Sequence, residues 1–243
     1  MASDNDPLAL RSANRPKLSI ITVSFNCRDE LERTIKSVLA QSIKSIEYIV
    51  IDGGSQDGTY DLLKSYSDQI DYWVSERDSG IYDAMNKGCA VAQGEGVLFL
   101  NAGDYIVGDL LDDDIMVPAF IPVKIRYRNG FERLQKIRSV KSGMPCSHQG
   151  IIFKNKGVLY DRRFEICSDY DYFLRHGDFC LYNRLNYQGS YVLYDNSGLS
   201  NSQYKKRDVE NFKIIKKRFG IGRASLFLIK AIGKGVLKEV FFR

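Results

Sequence analysis

The sequence predicts an α/β fold: a mainly parallel sheet flanked by helices, antiparallel strands in its second half, and a C-terminal helical appendage. Short apolar runs such as residues 18–23 and 97–100 alternate with amphipathic helical patterns. That order belongs to a sheet covered on both faces. Residues 117–138 then alternate at period two around Asn129-Gly130, the mark of a hairpin. From residue 204 onward the pattern is helical and basic.

Residues 1–16 read as a disordered tail closed by Pro16. Residues 18–23 form a buried strand, and Ser24-Phe25-Asn26 makes the turn at its carboxyl end. Leu31, Ile35, Val38 and Leu39 recur at helical spacing, so 29–41 is an amphipathic helix. Residues 47–51 are the second buried strand, and a short return from a helix implies parallel pairing with a right-handed crossover. The helix around Leu62 and Leu63 and the strand 72–74 repeat the unit. Residues 76–106 hold the third unit, ending in the apolar strand 97–100 and then Asn101-Ala102-Gly103-Asp104. Open α/β sheets bind ligands at the carboxyl ends of their strands. A carboxylate there, after a glycine, suits a hard cation and a phosphate. Strands near 180–187 and 191–194 are expected to close the sheet.

Composition narrows the function. The 243 residues have ordinary apolar and charged fractions. Five cysteines, with no C-x-x-C, point to separate reduced thiols. The N-terminus has no apolar signal core, and no run approaches a transmembrane length, so a cytoplasmic protein is expected. Dinucleotide and Walker phosphate loops are missing, which argues against NAD enzymes and kinases. Net charge is +5, yet residues 204–243 alone carry +9, from twelve Lys or Arg against three acids. No nucleic-acid recognition motif accompanies that basic end, so no nucleic-acid partner is expected.

The loop 52–59 has two readings on its residues alone. In one, Asp57 or Thr59 caps a helix at an ordinary strand-to-helix turn. Alternatively the Asp52 carboxylate accepts the N3–H of a uracil. Lys124, Arg126 and Arg128 share one strand face. That face is either solvated or a guide for a phosphorylated acceptor. Ser168 or Asp169 could cap the helix that follows, and Asp171 and Arg175 make an i, i+4 surface pair.

These motifs resemble the family 2 glycosyltransferases of the GT-A fold, the group that builds bacterial surface polysaccharides. The resemblance rests on Val50 through Thr59 (VIDGGSQDGT), Asp78 through Gly88 (DSGIYDAMNKG), Ala92 through Gly94, and Phe99 through Asp104 (FLNAGD). It implies a Rossmann-like sheet, with a nucleotide-sugar half at 17–106 and an acceptor half at 107–203. The implied activity is an inverting, metal-dependent hexosyl- or N-acetylhexosaminyltransferase. Its donor would be a nucleoside-diphosphate sugar, most simply a UDP-sugar. Thr22, Val23, Asn26, Asp52, Gly54, Asp78, Gly80, Asn86, Asn101 and Ala102 would bind that donor. The family's D-x-D-D metal motif is reduced here to Asp104, because Asn101 and Gly103 stand at its other positions. Asp104 would hold Mn²⁺ or Mg²⁺, with His148 as a further candidate ligand. The resemblance makes Asp169 the general base and puts His148, Gln149, Arg126 and Ser200 on the acceptor and diphosphate side. Ser200 falls in a loop (Ser197-Gly198-Leu199-Ser200) expected to close over the site. The alternative is a non-catalytic nucleotide-sugar or protein-binding module that kept the fold.

The helix from about 223 to 242 gathers Leu226, Ile229, Ile232, Val236, Leu237 and Val240 on one side and Arg223, Lys230, Lys234 and Lys238 on another. That pattern suits a helix lying in a membrane interface. It predicts peripheral attachment to the inner face of the cytoplasmic membrane, beside a lipid-linked saccharide acceptor. Packing on the domain core is the other reading of the same stripe.

Overall fold

The computed structural model describes residues 15–141, 143–177, 182–185, 188–195 and 203–241. The first half alternates strand and helix: β1 (Leu18–Ser24), α1 (Arg28–Leu39), β2 (Ile46–Asp52), α2 (Thr59–Ser65), β3 (Tyr72–Ser75), α3 (Ile81–Val91) and β4 (Gly96–Phe99). β1 pairs in parallel with β2, and β2 with β3. The chain then crosses back and lays β4 in parallel on the other side of β1. The winding therefore reverses between β1 and β4, where an open α/β sheet leaves a crevice at its carboxyl edge.

Period-two alternation divides the core in two. Ile21, Val23, Ile49 and Ile51 face one cluster with Phe99 and Phe153. Leu18, Ile20, Tyr48 and Val50 face the other, with Leu31, Ile35 and Val38 of α1. The start of α1 has no cap from its own N-cap residue, Cys27. Asp57 Oδ2 accepts the Arg28 N–H instead, at 2.9 Å, so the 52–59 loop caps a neighbouring helix. Arg15 and Pro16, expected in the disordered tail, are bonded to the segment that enters β4. Arg15 donates to the Gln93 and Gly94 carbonyls, and Pro16 accepts from Glu95 N–H.

The second half adds β5 (Tyr105–Val107), β6 (Ala119–Phe120), β7 (Val123–Arg126), β8 (Glu132–Leu134), β9 (Ile151–Lys154), α4 (Ser168–His176), β10 (Asn183–Arg184) and β11 (Tyr191–Asp195). β9 pairs antiparallel with β4 and with β6, and β10 completes a seven-stranded sheet. The expected hairpin is present as β7 against β8. Its turn closes through Gly130 N–H to the Tyr127 carbonyl at 2.8 Å.

One strand expected in the main sheet lies elsewhere. β11 runs between β5 and β7 in a separate four-stranded sheet. It goes there because Val192 buries with Ile106 and Val123, under the second cluster, rather than beside β10.

α5 (Tyr204–Phe219) and α6 (Ile221–Phe241) meet at Gly220, where the break was expected. They are joined to the core: Ile214, Ile215 and Ala224 are buried in the first cluster, and Phe227 packs against it.

Candidate active site

The strand ends at the winding reversal open into one cleft of about 2370 Å³. A single-ligand pocket is typically roughly 300–1,000 Å³, so more than one ligand has room. Val23, Asn26, Gly54, Asp78, Gly80, Asn101, Ala102, Asp104, Arg126, His148, Gln149 and Asp169 all line it. These are most of the residues singled out from the sequence, brought together from both halves. Ser200 lies outside the described residues.

Three of the expected ligand contacts are corrected. Asp52 is fully buried, with its carboxylate turned inward. Oδ1 accepts from the Ser24 and Ser55 hydroxyls, at 3.0 and 2.5 Å. Oδ2 accepts from Gly54 N–H, Ser55 N–H and the Ser75 hydroxyl, at 3.2, 2.9 and 2.7 Å. With five donors around it, this carboxylate has no face left for a base. It ties the ends of β1, β2 and β3 together and shapes the loop. Thr22 is also fully buried, and its hydroxyl pairs with Tyr48. Asn86 clamps Tyr160, accepting from its N–H and donating to its carbonyl. That role is structural, because both ends of the amide are used.

Asp78 takes the outward position that Asp52 lacks. A β-carbon on Gly53 would sit 2.6 Å from Asp78 Oδ2. The missing side chain therefore leaves the space in which the Asp78 carboxylate lies at the cleft wall.

Beyond the carboxyl end of β4, Asp104 is buried. Gly103 turns the chain there, with φ +98°, outside the range of most L-residues. Asp104 Oδ2 accepts from Gln149 Nε2 at 2.6 Å, and Oδ1 from the Asp195 N–H at 3.1 Å. Burial pushes its carboxyl up to about 7, and those two donors only partly oppose the rise. Beside it, Asn101 Oδ1 and Gln149 Oε1 are buried and lack a protein partner. Such atoms call for explanation in a native site. One carboxylate and two amide oxygens suit a hard cation that takes its remaining ligands from phosphate. No cluster of three acidic, His or Cys side chains gathers among the described residues to hold one alone.

Asp169 opens α4 and shows part of its side chain to the cleft. Its Oδ1 accepts from Tyr170 N–H at 2.8 Å, and Oδ2 lies 3.8 Å from His148 Nδ1. The opposite ring nitrogen of His148 is 3.2 Å from Asn101 Nδ2. With Nε2 facing Asn101, Nδ1 is the ring nitrogen that faces Asp169. The histidine thus links the Asp104 side of the cleft to the Asp169 side. Ser168 does not cap α4; its hydroxyl donates to the Asp161 carbonyl. Asp171 and Arg175 pair as expected, at 2.7 Å, but Asp171 is buried rather than on the surface. Arg126 is already paired, with Nε and Nη2 both on Glu132 Oε1.

Comparison with known proteins agrees with this architecture. Residues 19–113 match the model of Glycosyl transferase family 2. A Mycobacterium tuberculosis uncharacterized glycosyltransferase is 36% identical over 188 residues, covering 68% of this chain and 70% of the relative. The chain belongs to glycosyltransferase family 2. Its fold is GT-A. S. aureus TarS 1-349 in complex with UDP superposes with a TM-score of 0.63 at 16% identity, covering 89% of this family 2 chain and 70% of that one. Of the longer TarS structure the chain spans 43%. The mannosyltransferase PcManGT from Pyrobaculum calidifontis, in complex with GDP-Man and Mn²⁺, superposes with a TM-score of 0.59 at 15% identity. There the coverage is 94% of this chain and 76% of the neighbour.

Proposed function

We propose that this family 2 glycosyltransferase moves a sugar, with inversion, from a UDP-sugar to a hydroxyl of a lipid-linked saccharide in bacterial surface-polysaccharide synthesis. The observation that carries the reading is the single cleft that joins Asp78, Asp104, His148 and Asp169 across both halves of the fold. The UDP bound by TarS supports a nucleotide-sugar donor. In this reading Asp78, with the Gly54 backbone, holds the base and ribose end. Asp169 takes the proton of the acceptor hydroxyl as that oxygen attacks the anomeric carbon from the face opposite the diphosphate. His148 keeps Asp169 turned into the cleft. Asp104, with the Asn101 and Gln149 amide oxygens, would hold a divalent cation that neutralises charge on the departing diphosphate. A thermal-shift screen of nucleotide sugars with and without Mn²⁺ tests the reading. A shift with UDP-sugars, and slow hydrolysis of the same donor, are expected. Binding without any donor cleavage would favour a non-catalytic module.

The thin donor set makes a prediction about metal. Mn²⁺ should bind weakly to the free protein and at least about tenfold more tightly once UDP brings phosphate oxygens. Calorimetry showing tight binding without nucleotide rejects this arrangement.

No helix among the described residues is long and apolar enough to cross a bilayer. α6 packs inward through Ala224 and Phe227 while Leu226 and Ile229 are exposed, at 43% and 67%. Truncation would disturb both faces, so substitutions on the outer one are preferable. Leu226→Glu with Ile229→Glu should weaken binding to anionic vesicles by about 10²-fold, from lost apolar burial and added repulsion. Transfer to a lipid-linked acceptor should fall, and transfer to a short soluble analogue should not. Unchanged co-sedimentation with vesicles would remove α6 from membrane contact.

A further inference from the structure

Glu210 is an acid in a basic helix, and it is buried. It does not line the cleft. Its carboxylate accepts three successive backbone N–H groups: Oε1 from Glu165 at 3.0 Å, Oε2 from Ile166 and Cys167, both at 2.9 Å. Those residues lead into α4, whose first turn carries Asp169. The N-cap residue of α4, Cys167, supplies no side-chain cap of its own. At the far end of α4, Arg218 Nη2 donates to the Leu174 carbonyl at 2.9 Å. Residues 210 and 218 stand about 12 Å apart along α5, close to the length of α4 between these contacts. A single helix therefore braces another at both ends. It sets an anion at the amino end and a cation at the carboxyl end, the signs that the helix dipole favours. From the opposite side, the Tyr82 hydroxyl of α3 donates to the Ile166 carbonyl at 2.8 Å.

We propose that Glu210 is a positioning residue for Asp169: α5 belongs to the catalytic unit and fixes the launch of the base helix through that one carboxylate. The proposal rests on Asp169 being the base. Two geometric facts favour it over a plain core contact. All three bonds fall on the short segment 165–167, and the same segment is held from the donor half by Tyr82. A gap opened there moves Asp169 relative to the acceptor hydroxyl, and misplacement of about 1 Å costs roughly 10²-fold in rate.

The test compares wild type, Glu210→Gln, Asp169→Asn and the double variant in transfer rate, UDP affinity and melting temperature. Glu210→Gln should lose about 10²-fold in kcat with UDP affinity within twofold of wild type. Added to Asp169→Asn it should cost nothing further, because a residue that acts only through the base has no effect once the base is gone. Glu210→Asp should recover part of the rate. Losses that multiply in the double variant, or a Glu210→Gln enzyme with normal kcat, overturn the proposal. Normal turnover in Asp169→Asn refutes the base assignment instead, and that is read from a different protein. If Glu210→Gln fails to fold, Arg218→Ala replaces it at the other end of the brace. The same non-multiplying pattern at lower amplitude is then expected, and full multiplication rejects it.

Discussion

Asp169→Asn lowers the transfer rate by about 10²-fold or more, with UDP affinity near that of the wild type. The size follows from the loss of a positioned proton acceptor. Asparagine keeps the shape, and its Oδ1 still accepts the Tyr170 N–H that Asp169 accepts now. Folding of α4 is therefore spared, the more so because Glu210 already bonds the N–H groups ahead of the helix. Steady-state rates with saturating donor, beside calorimetry with UDP, separate chemistry from binding. A variant with near-normal turnover moves the base elsewhere; Glu165 and Asp171 flank the position. Asp171 is the weaker of these, since Arg175 holds it in a buried pair.

Asp104→Asn raises stability above neutral pH and abolishes transfer. In the folded protein burial lifts the Asp104 carboxyl from 3.8 to about 7. A raised carboxyl binds its proton more tightly in the folded state. Its contribution to stability is therefore fully present below the unfolded value and is lost as pH rises toward 7. Above that, wild type keeps a buried anion at a cost of at most about 4 kcal/mol, at 1.36 kcal/mol per pKa unit. The asparagine carries no charge to bury. Its oxygen can accept the Asp195 N–H, and its amide can donate to Gln149 Oε1, which has no protein partner, once that side chain turns over. Melting curves from pH 4 to 8 should cross: the variant melts several degrees higher at pH 8 and loses that advantage at pH 4. A variant less stable than wild type at pH 8 contradicts this account. The same shift would couple to ligand in the proposed reading, because a cation beside Asp104 would favour the ionised form and release a proton on binding.

Much of the first half is legible in the sequence because its strands are apolar and bounded by turns. β1, β2 and β4 each announce themselves within a handful of residues. The second half is harder for a physical reason. β5 and β11 are three and five residues long, and β11 pairs in parallel with β7, a strand roughly seventy positions earlier. No local period encodes such a partner. Among the candidate site residues, motif position led to Asp104 and Asp169, which line the cleft, and to Asp52, which turns away from it. A motif says where a carboxylate stands in the chain, not which way it faces. Here Ser24, Ser55 and Ser75 turn it inward. Glu210 carried no motif at all. A signal was nonetheless present: it lies four residues before Ile214, on the face that α5 buries. An acid on an apolar helical face needs a partner.

The inward Asp52 carboxylate has a consequence for donor recognition. Its five bonds join three strand ends and the following loop into a closed circuit. The backbone of that loop is thus ordered when the chain folds, before any nucleotide arrives. Ordering a loop at the moment of binding subtracts from affinity. In the proposed reading, a loop already fixed would let a few outward groups, Asp78 foremost, hold a nucleotide without that cost. Substitutions at the rim would then leave that floor in place, since none of its five bonds comes from a rim side chain.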